Sequence, residues 1–310
     1  MTFAIISTYG AKLAVELEAA LGAVTFGHTI LAPIGTKWSV AAQGVEKELI
    51  LCRQRNQVAF VWARPSKDDW MSGAVTLDSL PDHPSVAGLA AMLEIHGAQC
   101  VVSIMQEMPQ FAPSAPYGGP LGGYAKCFDR IAVQMPANVV TECATECKSA
   151  LGKVKTLEFA AWLPLRAHVC GIDLFDDSFI PGTLAYIFGQ AWANFCRASG
   201  RLIGVGDGGY TGPGDVKDPK IAKPALGALL KCAVTLQASY LMLDNGDPII
   251  PGKPSGRFTP SLDGTWPGCP EAVAHVKKKL ATYGALVAPA KPVIAVPAFS
   301  TGIGPVTPAD

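Results

Sequence analysis

The sequence is short of charge and has no excess of either sign. Only 16% of its 310 residues are charged, whereas about 25% is usual in soluble chains. The 25 basic and 25 acidic residues cancel, so no positive excess is available to neutralise a nucleic-acid backbone. We therefore expect little direct binding of nucleic acid. Because 49% of the residues are hydrophobic, the composition predicts burial against copies of the same chain or other subunits.

Long uninterrupted apolar runs are also missing. The segment 179–196 has no charge but contains Pro181, Gln190 and Asn194, and the segment 224–243 contains Lys231 and Gln237. Neither is a clean run of about twenty apolar residues, so we predict no membrane span. The first ten residues lack the basic region and long apolar stretch of a secretory signal. We expect the protein to be cytoplasmic or part of a virion, and not secreted.

Cysteine spacing offers no framework for disulfides or zinc. The nine cysteines are odd in number, irregularly spaced and without a Cys-x-x-Cys pair. Cys143 and Cys147 are the only close pair, and we interpret them as small buried hydrophobic residues. The sequence therefore predicts reduced thiols and no metal or cofactor.

A glycine-rich stretch over 201–215 resembles a nucleotide-binding loop only in part. Gly204, Gly206 and Gly209 have the Gly-x-Gly-x-x-Gly spacing after an apolar strand. The chain then continues through Gly212, Pro213 and Gly214, which do not begin a helix whose N-terminus could hold a pyrophosphate. We interpret this stretch as a short strand over 201–205 followed by a wide loop.

Local patterns predict an α+β fold with a mixed or antiparallel sheet, about six helices and long loops rich in glycine and proline. Apolar periodicity predicts helices and β-branched or aromatic content predicts strands. The predicted helices are 10–21, 86–96, 138–151, 182–199, 224–243 and 270–283, and the predicted strands are 25–31, 37–42, 47–52, 57–63, 100–105, 156–173, 201–205 and 293–297. The four early strands resemble an antiparallel meander. Helices and strands do not alternate regularly enough for a barrel of repeating units.

The chain is expected to form one compact domain over 1–284 and an extended arm over 285–310. A sub-boundary could fall in the glycine- and proline-rich loop 109–126. The arm has five prolines and only two charged residues, so it should be extended yet unsuited to free solvent. Its apolar side chains are a predicted assembly surface: Val293, Ile294, Val296, Phe299 and Ile303. The sequence leaves open whether they pack on their own domain or on a neighbour.

The best cluster of chemically reactive side chains lies in 166–177. On a strand, His168 and Cys170 would share one face with Arg166, and Asp173, Asp176 and Asp177 follow. A Cys/His nucleophile or a carboxylate site could be built from such residues, but no orienting acid or oxyanion hole is evident. The common Gly-x-Ser-x-Gly, His-Glu-x-x-His and kinase motifs are absent.

These observations favour a structural protein over an enzyme. The main prediction is a self-associating subunit of a large assembly, such as a viral capsid or capsid-decorating protein, whose partners are copies of itself or other structural subunits. One alternative is an oligomeric cytoplasmic α/β enzyme with its site near His168, Cys170 and Asp173. The other is an adaptor that binds proteins through its long loops.

Overall fold

Eight parallel strands close into a barrel. The computed structural model describes residues 4–7, 15, 18, 27–96, 100–209, 219–243 and 270–283. The strands are β1 (Ala4–Ser7), β2 (Gly27–Ala32), β3 (Val58–Ala63), β4 (Cys100–Ile104), β5 (Val139–Glu146), β6 (Val169–Phe175), β7 (Leu202–Gly209) and β8 (Tyr240–Leu243). Each strand pairs with the next in chain order, and β8 pairs with β1 to complete the ring.

Helices and short turns connect the strands. The α-helices are α1 (Trp38–Gln54), α2 (Lys67–Met71), α3 (Pro84–His96), α4 (Gly123–Ala132), α5 (Cys147–Ala150), α6 (Phe159–Trp162), α7 (Leu184–Ala198), α8 (Pro219–Thr235) and α9 (Pro270–Tyr283). Within the described residues, four 3₁₀ turns cover Leu80–Asp82, Met108–Phe111, Thr156–Glu158 and Asp176–Phe179. In the part of the chain that the structure describes, no helix is both long enough and apolar enough to cross a membrane.

The prediction of a mixed or antiparallel sheet is wrong, because every strand pair in the barrel is parallel. Parallel strands are covered on both faces, so their sequences are continuous apolar runs without a polar alternation. β3 is such a strand, with all six residues buried. The regular alternation of strands and helices was not predicted, because the sequence patterns gave two elements the wrong type of secondary structure.

The first misassigned element is α1. Its sequence predicts two short strands, over 37–42 and 47–52, but residues 38–54 form one helix. The buried residues of this helix are Val45, Leu49 and Cys52, which recur at the spacing of one helical face. Short windows of this segment are rich in β-branched and aliphatic residues and therefore predict strands. The helical spacing of the apolar residues is visible only over the longer segment.

The second misassigned element is β5. Val139, Val140 and Cys143 suggest a helical stripe, but residues 139–146 are a strand and only Cys147–Ala150 is helical. A strand and a helix both bring Val139 and Cys143 to one face, so period alone does not separate them. Likewise, the helix expected over 224–243 ends at Thr235, and β8 follows it.

The barrel has one apolar core inside the ring and another between the ring and its helices. Inward-facing side chains fill the interior: Val58, Phe60, Trp62, Val101, Val140, Val169, Tyr240 and Met242. Outward-facing residues such as Val61, Ile104 and Ile172 belong to the larger core, together with Leu49 and Trp192 on the helices. This packing fixes the strands, and therefore the side chains at their ends, in a rigid ring.

Candidate active site

Acidic residues stand at the carboxyl ends of four consecutive strands. Glu107 follows β4, Glu146 ends β5, and Asp173 and Asp207 lie near the ends of β6 and β7. Because the carboxyl ends of parallel strands meet at one face of a barrel, these residues surround one opening. The opening is a cleft of about 280 Å³, called the acidic cleft below, and is lined by Gln106, Glu107, Pro109, Gln110, Glu146, Lys148, Ser149, Asp173, Phe175 and Asp207.

Glu146 has a structural role at this opening. Its carboxylate accepts hydrogen bonds from the backbone N–H groups of Lys148 at 2.9 Å and Ser149 at 2.6 Å, and so caps α5. Both oxygens of the Glu146 carboxylate are therefore engaged in hydrogen bonds to the helix backbone. Asp173, Asp207 and Glu107 are therefore the carboxyl groups to consider for chemistry.

Below the acidic cleft, the barrel interior contains a fifth carboxyl group. Glu142 is fully buried on β5, and the Tyr240 hydroxyl donates a hydrogen bond to its Oε1 atom. Burial raises the pKa of Glu142, while the hydroxyls of Tyr240 and Ser103 act in the opposite direction. Burial and the neighbouring Glu142 also raise the pKa of Tyr240, so its hydroxyl remains a proton donor.

Two inward-facing glycines make room for these carboxyl groups. A Cβ atom at Gly171 would collide with Glu142 Oε1. At Gly206 it would lie 2.8 Å from Asp173 Oδ1 and 3.4 Å from Glu142 Oε1. Both carboxyl groups therefore reach toward the same point above Gly206. Strand glycines of this kind commonly mark a close approach of another group.

Asp173 has surroundings that favour the protonated form of its carboxyl group. It is 2% exposed, and its Oδ1 atom has no hydrogen-bond partner among the described residues. Burial raises its pKa well above the ordinary value, and the charges of Asp207, Glu107, Glu142 and Glu146 add to the effect. A neutral carboxyl group at the edge of a cleft can donate a proton to a bound molecule.

The backbone beside Glu107 is strained. Met105 and Glu107 have φ values of 51° and 68°, in the left-handed region that residues with a Cβ atom rarely adopt. Such conformations cluster at functional sites. The Glu107 carboxylate accepts a hydrogen bond from Gln110, and its Oε2 atom lies 3.9 Å from Nη1 of Arg64. Gln110 and Arg64 are thus the polar groups that flank this carboxylate.

A second, larger cleft adjoins the acidic cleft and shares Gln106, Glu107 and Gln110 with it. Its volume is about 620 Å³, and we call it the aromatic cleft. Half-buried Trp70 forms one wall, stacked on Tyr117 at 5.9 Å and edge-on to Phe111 at 5.3 Å between ring centroids. The lining residues are Leu31, Pro33, Lys37, Arg64, Pro65, Ser66, Lys67, Trp70, Gln106, Glu107, Gln110, Phe111 and Tyr117.

The structure separates the three residues that the sequence grouped as a possible catalytic cluster. His168 lies at the opposite end of β6, where its ring is 2.9 Å from the Thr141 hydroxyl and where burial and Arg201 lower its pKa. Cys170 faces outward, 3.7 Å from Cys143, and burial raises its pKa well above the ordinary value. Only Asp173 reaches the acidic cleft.

The residues that sequence reasoning missed carry a recognisable signal. Four consecutive apolar strands each have an acidic residue near or just after the carboxyl end: Glu107 after β4, Glu146 on β5, Asp173 on β6 and Asp207 on β7. In a parallel barrel this repetition places all four acids at one face. The signal is invisible without the parallel topology. Asp176 and Asp177 lie in the 3₁₀ turn after β6, whereas the arm residues Val293, Ile294, Val296, Phe299 and Ile303 lie outside the described residues.

Comparison with solved structures reveals the same architecture in glycoside hydrolases. A Cellulomonas fimi endo-β-1,4-mannanase double mutant aligns with a TM-score of 0.65 and 12% identity, over 92% of this chain and 72% of the mannanase. The Bacteroides ovatus GH26 β-mannanase aligns with a TM-score of 0.63 and 12% identity, over 92% and 90% of the two chains. A Podospora anserina GH26 β-(1,4)-mannanase aligns with a TM-score of 0.56 and 10% identity, over 91% and 64%.

Sequence comparison adds no closer relative. No protein-family model matches the sequence. No curated protein matches it either. At 10–12% identity, the structural likeness establishes the fold, which is the barrel of GH26 mannanases.

The prediction of a viral capsid or capsid-decorating subunit is wrong. The chain has the barrel of glycoside hydrolases, and its structural neighbours are enzymes. The low charge that suggested a shell subunit has another cause within the described residues. Two apolar cores, one inside the ring and one around it, require many apolar residues in a single chain.

Proposed function

We propose that this protein is a glycoside hydrolase that cleaves a polysaccharide at the acidic cleft. The observation that carries the proposal is the position of Asp173, a buried carboxyl group with a raised pKa, at the carboxyl end of a barrel strand. Active sites of such barrels lie at this face. Glycoside hydrolysis needs one protonated and one ionised carboxyl group beside the same bond.

Two residues supply these groups in our proposal. Asp173 donates its proton to the oxygen of the scissile glycosidic bond as that bond breaks, so that the leaving sugar departs as a neutral alcohol. Water then adds to the anomeric carbon of the other sugar and returns a proton to Asp173. Glu107, which follows β4 and lies beside Arg64, is the carboxylate that stabilises the positive charge developing on the other sugar. Burial, followed by charge repulsion from Asp207, favours the protonated form of Asp173.

Glu142 and Tyr240 position this machinery from below. Their hydrogen bond places a carboxyl group against Gly206, where Asp173 also reaches. After burial and the charges of Asp207 and Glu107, the charge of Glu142 also raises the pKa of Asp173. Neither residue lines the two clefts, so both are positioning residues in this scheme.

The test is release of reducing sugar ends from a panel of β-linked polysaccharides, beginning with β-1,4-mannan. We expect Asp173→Asn and Glu107→Gln each to lower the rate by about 10²–10⁴, the range for loss of a general acid or its partner group. Asp82→Asn, at an exposed position outside both clefts, serves as the control and should retain the wild-type rate. Absence of hydrolysis across the panel, or full activity of Asp173→Asn, would refute the proposal.

A further inference from the structure

We infer that the aromatic cleft binds a sugar residue that carries a carboxylate, and that the polysaccharide substrate contains uronic acid. The choice of a glycan rests on the function proposed above, whereas the negative charge is inferred from this cleft alone. Three cations line the cleft, Lys37, Arg64 and Lys67, against one carboxylate, Glu107. The whole chain has no net charge, so this local excess sets the cleft apart.

The ammonium group of Lys67 is available to a ligand. Its side chain is exposed, and no carboxylate among the described residues lies within ion-pair distance of it. Lys37 pairs with Asp68 at 2.8 Å, but both side chains are more than half exposed. Exposed pairs of this kind are weak, so a bound anion can compete with Asp68 for Lys37.

The position of Lys37 is unfavourable for the helix that it begins. Lys37 is the N-cap residue of α1, its side chain makes no capping hydrogen bond, and the first turn of α1 contains no acidic residue. A cation beside the positive end of a helix dipole opposes the dipole. The helix end and Lys37 therefore both add positive potential at one side of the cleft, and a bound carboxylate would relieve their repulsion.

The aromatic wall suits a sugar ring. Trp70 and Tyr117 are half-buried, which leaves part of each ring open to the cleft. Flat aromatic faces provide large contact area at little entropic cost. A pyranose stacked on Trp70 would thus be held by its apolar face, while its carboxylate reaches Lys37 or Lys67.

The negative charge of the acidic cleft determines the orientation of the bound substrate. Glu107, Asp173 and Asp207 line the acidic cleft, and a uronate placed there would meet like charge. The uronate is therefore directed to the aromatic cleft. Because the two clefts share Gln106, Glu107 and Gln110, the adjoining sugar then places its glycosidic bond beside Asp173.

Binding to the Asp173→Asn variant tests this inference without relying on turnover. The probes are a β-1,4-linked glucuronic acid hexasaccharide, its carboxyl-reduced neutral form and a sulfated neutral hexasaccharide, measured by calorimetry at low and moderate salt. We expect the uronate to bind about tenfold tighter than its reduced form at low salt. Adding Lys37→Gln and Lys67→Gln should abolish this preference, while Lys37→Arg with Lys67→Arg should keep it.

The matched control adds Lys47→Gln and Arg53→Gln, which remove two exposed charges from α1 outside both clefts. This control should keep the uronate preference. Equal binding of the uronate and its reduced form, a preference for sulfate over uronate, or a preference that survives Lys37→Gln with Lys67→Gln would overturn the inference. Uronate preference without hydrolysis of any polysaccharide would refute only the proposed activity, and hydrolysis without uronate preference only this inference.

Discussion

Single glycines decide where the buried ring of Tyr240 can lie. Gly204 on β7 faces the barrel interior, and a Cβ atom there would overlap the Tyr240 ring. The glycines that resemble a nucleotide-binding motif in sequence thus lie within a strand that continues to Gly209. Gly204 admits the aromatic ring whose hydroxyl donates to Glu142.

Gly204→Ala should lower the free energy of unfolding by about 1–3 kcal/mol, because the buried Tyr240 ring cannot move aside without strain. Urea denaturation measures the change. Gly44→Ala is the matched control, since a Cβ atom at Gly44 in α1 meets open space. This control should gain about 0.5–1 kcal/mol from the better helix propensity of alanine. Equal effects of the two substitutions would contradict this explanation of Gly204.

The raised pKa of Asp173 predicts a pH-dependent cost to stability. A group whose pKa is higher in the folded state favours folding at low pH and loses that contribution as pH rises through the folded-state pKa. Asp173→Asn removes the ionisable group, so this variant should exceed the wild type in stability at pH 8 by about 1–3 kcal/mol. The advantage should shrink toward pH 4. Thermal unfolding across this pH range measures it, and a constant difference would argue against a buried, protonated Asp173.

At the scale of elements, the loop before α2 holds one side of the aromatic cleft in place. Ser66 accepts a hydrogen bond from the Asp69 N–H at 3.2 Å, and Asp69 accepts one from the Ser66 N–H at 3.4 Å, which forms a capping box. The buried Asp69 carboxylate also accepts a hydrogen bond from Thr36, in the loop before α1. One carboxylate therefore ties the loop that carries Lys37 to the start of α2, where Lys67 lies.

Asp69→Asn should cost about 1–3 kcal/mol of stability, because it weakens hydrogen bonds to a buried charged group. Burial alone would raise the pKa of Asp69, but hydrogen bonds from Thr36 and Ser66 outweigh burial and leave this pKa below its ordinary value. The stabilisation by the Asp69 carboxylate is thus present at pH values above the pKa of Asp69 in the unfolded chain. It is lost as pH falls through the pKa of Asp69 in the folded state.

The neighbouring Asp68→Asn provides the control, since Asp68 is 82% exposed and forms only a surface pair. Its substitution should change stability by less than about 0.5 kcal/mol. Chemical denaturation at pH 7 and pH 3 compares the two variants. A similar cost for Asp68→Asn, or a cost of Asp69→Asn that persists unchanged at pH 3, would contradict the role given to Asp69.

Several elements could be predicted from sequence because local signals sufficed. β3, β4, α3, α7 and α9 lie within a few residues of their expected positions. α1 and β5 could not be assigned, since the same side-chain spacing fits either a helix or a strand in a short window. Among the site residues, Asp173 was identified, but Glu107 and Asp207 fell in stretches expected to be loops. Glu107 and Asp207 lie at the same face as Asp173 only because the strands are parallel and close into a ring, and local sequence patterns do not show that strand order.

At the scale of the whole molecule, the barrel accounts for the low charge of the sequence. Each strand between β2 and β8 is covered inside and outside, so its residues are apolar at both alternating positions. Ionisable side chains also occur inside the ring. Glu142 and Asp173 are buried on strands that otherwise consist largely of apolar residues, glycine and threonine.

The division into a domain over 1–284 and an arm over 285–310 remains a prediction. Under it, a chain shortened to residues 1–284 should fold and unfold cooperatively, with a thermal midpoint within a few degrees of the full chain. Circular dichroism during heating measures both. Loss of cooperative unfolding in the shortened chain would show that the last 26 residues belong to the domain.

The most direct test of the account is the titration of Asp173 itself. Carbon-13 NMR of carboxyl-labelled protein, with the Asp173 signal assigned by its loss in Asp173→Asn, follows its protonation from pH 3 to pH 9. We predict a resonance that titrates well above the ordinary aspartate pKa, because burial and the charge of Asp207 oppose ionisation. Titration near an ordinary aspartate value would leave the acidic cleft without a proton donor at Asp173 and would contradict the proposed chemistry.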